Sequence, residues 1–241
     1  MRFRILVALL ILILFIVVFH KKANERIMVS YSGPPIMLAE PAYSGIMTLE
    51  QALKKRRSVR QYASTPLELA EVGQILWATQ GVSSEKGGYR TAPSAGALYP
   101  LETYLVAGEV RGLQPGIYHY DMNKHCLFPM KSGDFRSGLS NTVLGQKPPL
   151  NAPASVVLAG VFERTRIKYG YFGDRYVYME AGHAGQNLCL QAVGLGLSAL
   201  TIGSIEQEKL QALLGLPVNQ TPLYVLPFGH KKEDQTGILK P

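Results

Sequence analysis

Four short stretches hold most of the residues whose types and spacing could do chemistry. The first is Lys54-Lys55-Arg56-Arg57-Ser58-Val59-Arg60, five cations and a hydroxyl within seven residues. On a helix, side chains three and four apart share a face, which makes Arg56 and Arg60 neighbours. With Ser58 beside them they suit a phosphate, because arginine grips it with a two-pronged set of donors. The same residues also suit a solvated helix face or contact with anionic lipid. The second stretch, Arg90-Thr91-Ala92-Pro93-Ser94-Ala95-Gly96-Ala97-Leu98-Tyr99-Pro100, has a lone arginine and little bulk before a strand-like run. Residues this small let backbone approach something flat or charged; an ordinary surface loop is the competing reading. The third is Thr201–Leu210, where Gly203 and Ser204 join a strand to a helix. Backbone N–H groups at such a turn can point at a ligand atom, or simply start the helix. The fourth, Arg164–Tyr176, is basic and aromatic with two glycines and reads as a loop or lid. Lys168 and Tyr169 can exchange protons there if burial shifts their pKa values, and a mobile basic surface loop competes.

Other chemistries lack their residues. The five histidines (His20, His119, His125, His183 and His230) form no metal-ligand spacing, and Cys126 and Cys189 stand far apart with no CxxC. Two buried thiols are expected. There is no P-loop and no GxSxG, and the glycines from Gly194 end a helix instead of opening one. The formal charge is +8, from 25 Lys+Arg against 17 Asp+Glu. That balance fits a phosphorylated ligand or an anionic membrane surface. Nucleic acid is not expected, since no basic run is interleaved with aromatics.

These stretches need a scaffold. Arg2 and Arg4 precede an unbroken apolar run from Ile5 to Phe19, closed by His20, Lys21 and Lys22. As a helix it rises ~22 Å, short of the ~30 Å hydrocarbon core, and snorkelling cations can make up the difference. A cleaved signal peptide is the rival, but no small-x-small site follows. Residues 1–22 are therefore read as an uncleaved membrane anchor, its orientation open because cations flank both ends. Residues 23–46, with three prolines, read as a linker lying on the domain surface. The domain proper is 47–241, enough for one substantial core. Thr48-Leu49-Glu50-Gln51 is a capping box that opens a helix running to Val59. A second helix is expected from Thr65, with Pro66 at its first position and Glu68 closing another box, ending near Gly81. Strands are expected at 102–108, 116–121, 154–162, 197–203 and 222–230, and helices at 174–195 and 205–216. There is no regular βαβ rhythm, so the fold class is α+β with a central, mostly antiparallel sheet flanked by helices.

The segments "KKRRSVRQY", "RTAPSAGALYPLETYLV", "KYGYFGDRYVYMEAGHAGQNLCLQAVGLGLSALTIGSI" and "LYVLPFGH", in that order, resemble the nitroreductase superfamily. The likeness is greatest to its SagB/ThcOx-type branch, the thiazoline/oxazoline dehydrogenase-like flavoenzymes, and runs from about Thr48 to the C-terminus. It implies a nitroreductase-like fold and a homodimer with FMN at the interface. Arg56 is then expected at the phosphate with Arg57 and Ser58, and Arg60 nearer the ribityl chain and pyrimidine. Pro93, Ser94, Ala95 and Gly96 would pass along the isoalloxazine, and Gly203 and Ser204 would bring a backbone N–H towards flavin N5. Residues 229–232 and Lys240 fall where the family puts another phosphate cation. Lys168-Tyr169 is similar to the pair that this branch uses for proton abstraction. The implied function is a membrane-anchored FMN-dependent oxidoreductase that moves hydride to or from a small or peptide-borne substrate. An NAD(P)H-dependent nitro or quinone reductase is one alternative, and a non-catalytic membrane-tethered binding module is another. The anchor departs from typical members of the branch, which act in a cytoplasmic complex.

Overall fold

The computed structural model describes residues 29–84, 86 and 88–232. The expected anchor and Lys240 lie outside these residues. Among the described residues no helix is long and apolar enough to cross a membrane.

The centre is made by two strands with no exposed face. β5 (Leu101–Ala107) and β9 (Ala154–Gly160) are buried at every position; β9 is a near-continuous apolar run, whereas β5 takes Glu102 and Thr103 inside with it. They pair antiparallel from Leu101 opposite Gly160 to Ala107 opposite Ala154. Around them the chain contributes β1 (Ile36–Met37), β7 (Gly116–Asp121), β8 (Cys126–Ser132), β10 (Ser198–Ala199) and β11 (Thr221–Gly229); β3 (Val82–Ser84) and β4 (Tyr89–Arg90) pair outside this sheet, and α4 (Pro148–Asn151) is a single turn leading into β9. The sheet order is β1-β8-β7-β5-β9-β11-β10, antiparallel at each junction.

Alternation along the strands divides the core in two. Leu105, Val156, Leu158 and Leu226 point to the face covered by α2 (Leu69–Gln80) and the long α6 (Gly173–Gly194). Tyr104, Val106, Val157 and Val225 point to the other, under α3 (Arg136–Thr142) and α7 (Gln207–Leu214). The molecule is thus a helix–sheet–helix sandwich. Both cysteines are free and buried.

Local structure departs from expectation in four places. α1 (Leu49–Lys55) has its capping box at Thr48 but stops at Lys55, not Val59. Arg56 turns extended (φ −54°, ψ 121°), Ser58 pairs with Ala199, and the Val59 N–H donates to the Ala199 carbonyl (3.2 Å). The open edge of β10 supplies hydrogen bonds that a helix crowded with cations would have to forgo. α2 begins at Leu69 because β2 (Leu67–Glu68) pairs in parallel with β6 (Val110–Arg111). Glu68, not Thr65, caps the helix, and Glu71 accepts its N–H (2.8 Å). The expected lid at 164–176 is instead ordered helix. α5 (Phe162–Tyr169) is followed by a 3-10 turn at Gly170–Phe172 and then α6. Gly170 takes the positive φ (53°) that this turn requires, and Arg166 grips Asp174 across it (2.6 Å and 2.8 Å). Finally, the predicted strand at 197–203 shrinks to two residues plus an Ile202–Val225 bridge. From Tyr31 on, the segment read as a linker joins the domain: β1 pairs with β8, and Gln74 holds the Ala42 backbone at both N–H and carbonyl.

The fully buried Leu158 joins the α6 side of the core. Leu158→Ala is expected to lower unfolding free energy by about 2–5 kcal/mol in urea titration, with the denaturant slope unchanged.

Candidate active site

Residues 56–60 gather their cations by strand periodicity, not helical periodicity. On extended backbone the side chains of Arg56, Ser58 and Arg60 share one side and Arg57 takes the other. The Arg57 guanidinium donates to the carbonyls of Lys54 (2.9 Å) and Arg56 (2.8 Å), closing the end of α1. Arg56 and Arg60 have no carboxylate partner among the described residues. The chain leaving β11 runs back along this segment. The Ala63 N–H donates to the His230 carbonyl (2.9 Å), the Lys232 N–H to the Gln61 carbonyl (3.3 Å), and Lys231 pairs with Tyr62. The "HKK" element expected to add cations is therefore beside Arg60. Tyr62 locks the corner, its buried hydroxyl 3.0 Å from the Val59 carbonyl and 2.9 Å from that of Pro227. Burial pushes its phenol well above the usual range. Further along the same edge, the N–H groups of Gly203 and Ser204 find no acceptor among the described residues.

A second cluster forms around the bare loop before β5. The Ala95 N–H donates to Glu180 Oε1 (2.9 Å), and the Tyr99 N–H to Ser94 Oγ (2.8 Å). Pro93 and Gly96 are exposed. Gly96 sits at φ 62°, and a Cβ there would come within 2.7 Å of Tyr169 Oη and 2.8 Å of Lys168 Nζ. Two stretches 72 residues apart in sequence, from Gly96 to Lys168, therefore meet. The Arg90 guanidinium lies 4.3 Å over the Tyr99 ring, and burial pulls its pKa down.

Strand register shows that one chain keeps these clusters apart. Leu101, which follows the loop, aligns with Gly160 and Thr221 at one end of the sheet. Ala107 aligns with Ala154 and Phe228, then with Ala199 and Ser58, at the other. Six residues of strand separate the ends by roughly 20 Å, and β10 lies three strands, roughly 14 Å, from β5.

The chain matches the model of the Nitroreductase family over residues 53–230. It belongs to the nitroreductase family. It is 40% identical to the presumptive nitroreductase MJ1384 of Methanocaldococcus jannaschii over 185 residues, 77% of this chain and 92% of that one. It is 30% identical to the microcin B17-processing protein McbC of Escherichia coli over 152 residues, 61% of this chain and 56% of that one. A crystal structure of a presumptive nitroreductase from Ralstonia eutropha superposes with a TM-score of 0.73 at 28% identity, covering 86% of this chain and 93% of that one. The resemblance noted in the sequence thus holds at the level of the family: this is a nitroreductase-family oxidoreductase, and it is similar to peptide-processing proteins such as McbC.

For a nitroreductase, the residues that frame the loop were not all visible in advance. Glu180 is a carboxylate on the core side of α6, at helical spacing with Val177, Ala181, Ala184 and Leu188, and is itself only 3% exposed. A lone acid among apolar core positions was the available signal. Its pKa is raised by burial, tempered by the Ala95 N–H, the Ser94 hydroxyl and the charges of His183 and Arg90. Glu102, on β5, accepts from His119 Nε2 (2.9 Å) and from Arg164. Burial would raise its pKa, but His119 and Arg164 outweigh it and hold the carboxyl below the usual range. The folded state therefore binds this proton less readily than the unfolded chain, so the stabilisation is present above the unfolded pKa of about 4.3 and is lost as pH falls below it and through the lower folded-state pKa. Between about pH 6 and about pH 3, wild-type stability should fall more steeply than that of Glu102→Gln; parallel curves in chemical denaturation would show that Glu102 has no depressed pKa.

Proposed function

We propose that this nitroreductase is an FMN-dependent oxidoreductase of the dehydrogenase type, working as a homodimer and tethered to a membrane through residues 1–22. The observation that carries the flavin reading is the donor set along the β10 edge. Arg56, Ser58 and Arg60 share one side of an extended segment, residues 231–232 lie beside them, and two N–H groups without an acceptor among the described residues follow at Gly203 and Ser204. That set fits a phosphate at one end and a hydrogen-bond-accepting ring edge at the other. Arg57 is engaged with the end of α1, which leaves Arg56 and Arg60 as the phosphate ligands.

FMN, when bound, supplies the hydride acceptor and donor, and the protein supplies position and electrostatics. Arg56 and Ser58 would hold the phosphate, with Arg60 nearer the pyrimidine, where a cation favours the reduced ring. Ser94, Ala95 and Gly96 have the small side chains that allow backbone to lie along a ring, and Pro93 fixes the entry to that loop. Lys168 and Tyr169, against Gly96, would exchange protons with a substrate stacked there. Because the loop and the Arg56 edge stand at opposite ends of one sheet, a second copy is needed to bring a loop to each phosphate site. This is the support for a homodimer with FMN at the interface.

The substrate is inferred to be small or peptide-borne, by kinship with a peptide-processing protein. An NAD(P)H-fed nitro or quinone reductase is the second reading, favoured by the 40% identity to a presumptive nitroreductase. The purified protein should show flavin absorption near ~370 and ~450 nm. Anaerobic bleaching by NADPH would select the reductase, and persistence of the bands would select the dehydrogenase. A colourless protein that takes up no added FMN would overturn both and leave a binding module. The double variant Arg56→Ala/Arg60→Ala is expected to lose the flavin while keeping its fold by circular dichroism; stoichiometric flavin in it would defeat the phosphate assignment. In Lys168→Ala, flavin should stay bound while turnover falls by about 10²–10⁴-fold, and wild-type turnover would remove Lys168 from the reaction.

A further inference from the structure

The loop that meets Lys168 and Tyr169 is strained. Besides Gly96, two residues with side chains adopt positive φ, Ala97 at 55° and Tyr99 at 46°. Such backbone persists only where its surroundings over-determine it. Ser94 and Glu180 hold the front of the loop. The rear is held by Arg164, whose Nη1 donates to the Tyr99 carbonyl (3.0 Å) while Nη2 donates to Glu102. Arg164 also lies on α5 one turn before Lys168, so the two side chains share a face of that helix.

We propose that Glu102 and Arg164 are positioning residues that lock the 94–99 loop and the Lys168–Tyr169 end of α5 into a single unit, a role that for catalysis rests on that loop framing the flavin. The logic runs outward from the core. Glu102 belongs to β5, where it pairs with Ala159 of β9, and β7 joins the strand from Tyr104 on. Its carboxylate is 11% exposed and accepts from two donors. His119 Nε2 donates to it, which leaves Nδ1 of a neutral ring to accept from the Tyr31 hydroxyl (2.8 Å). Arg164 then spans from the carboxylate to the Tyr99 carbonyl. A planar guanidinium reaches both acceptors at once; the point charge of a lysine does not. With the bridge in place, Lys168 Nζ and Tyr169 Oη keep their contact with Gly96. Without it, α5 and the loop lose their shared anchor on β5.

The test uses the full-length protein loaded with FMN and the variants Arg164→Lys, Arg164→Met and Glu102→Gln. Hydrogen exchange would be followed at amides 95–99 and 168–170, with β5 amides as the internal reference. Turnover would be read with NADPH and menadione where NADPH bleaches the wild-type flavin, and otherwise as oxidation of the photoreduced flavin by menadione. Arg164→Met and Glu102→Gln are expected to speed exchange at both sites by about tenfold relative to β5. The turnover number or oxidation rate should fall by about 10²-fold, the scale of an ångström of misplacement, with flavin content held. Arg164→Lys should recover only part of either effect. Unchanged exchange at both sites, or exchange raised equally in β5, would overturn the proposal. Should Arg164→Met fail to fold, Glu102→Gln and Arg164→Lys decide on the same readouts. A wild-type chain that takes up no flavin but loosens at both sites in the variants would sink the flavin reading and leave the lock standing.

Discussion

The register between β5 and β9 is the constraint on which the rest of the structure depends. Both strands are buried on both faces, so a slip of one residue would exchange every inward side chain of one core half for those of the other. Tyr104 and Val106 would then enter the layer of Leu105 and Val156, which differs in the volumes it accepts. The same register decides where the chemistry stands. It sets Leu101, and with it the small-residue loop, at one end of the sheet, and through β11 and β10 it sets Ser58 at the other.

In the proposed reading the two clusters divide the chemical tasks. Along the β10 edge there is positive charge on extended backbone, with Arg56 and Arg60 lacking carboxylate partners among the described residues. The loop before β5 is short of charge and held by hydrogen bonds to its backbone. An edge strand is ordinarily open to unwanted pairing; here residues 56–60 cover β10 and present cations outward.

Polar groups near the loop are buried where an apolar core would have been simpler. Glu180 reaches the Ala95 N–H from the core side of α6, and Glu102 reaches His119 and Arg164 from a core strand. A buried charge is a weak source of stability, because desolvation offsets much of the attraction. What such groups supply is a fixed geometry, and both act on the same loop, Ala95 to Tyr99, in which Gly96, Ala97 and Tyr99 take positive φ.

Much of the scaffold was legible in the sequence. The continuous apolar run from Ala154 reads as a strand buried on both faces, 102–108 and 116–121 as further strands, and the small-residue run from Asp174 as a close-packed helix. The Thr48 box and the order of motifs were equally direct, because local hydrogen bonding and side-chain period determine them. Tertiary structure decided what local preference could not. Residues 56–60 read as helix by spacing, yet Ala199 offered an edge whose hydrogen bonds outcompeted it. Residues 164–176 read as a loop because glycines and aromatics interrupt the pattern, while the Arg166–Asp174 pair closed the turn between two helices. The meeting of Lys168 with Gly96, and the tether of Ala95 to Glu180, span 72 and 85 residues of chain. Contacts that distant leave no period in the sequence, and only the packed sheet brings them together.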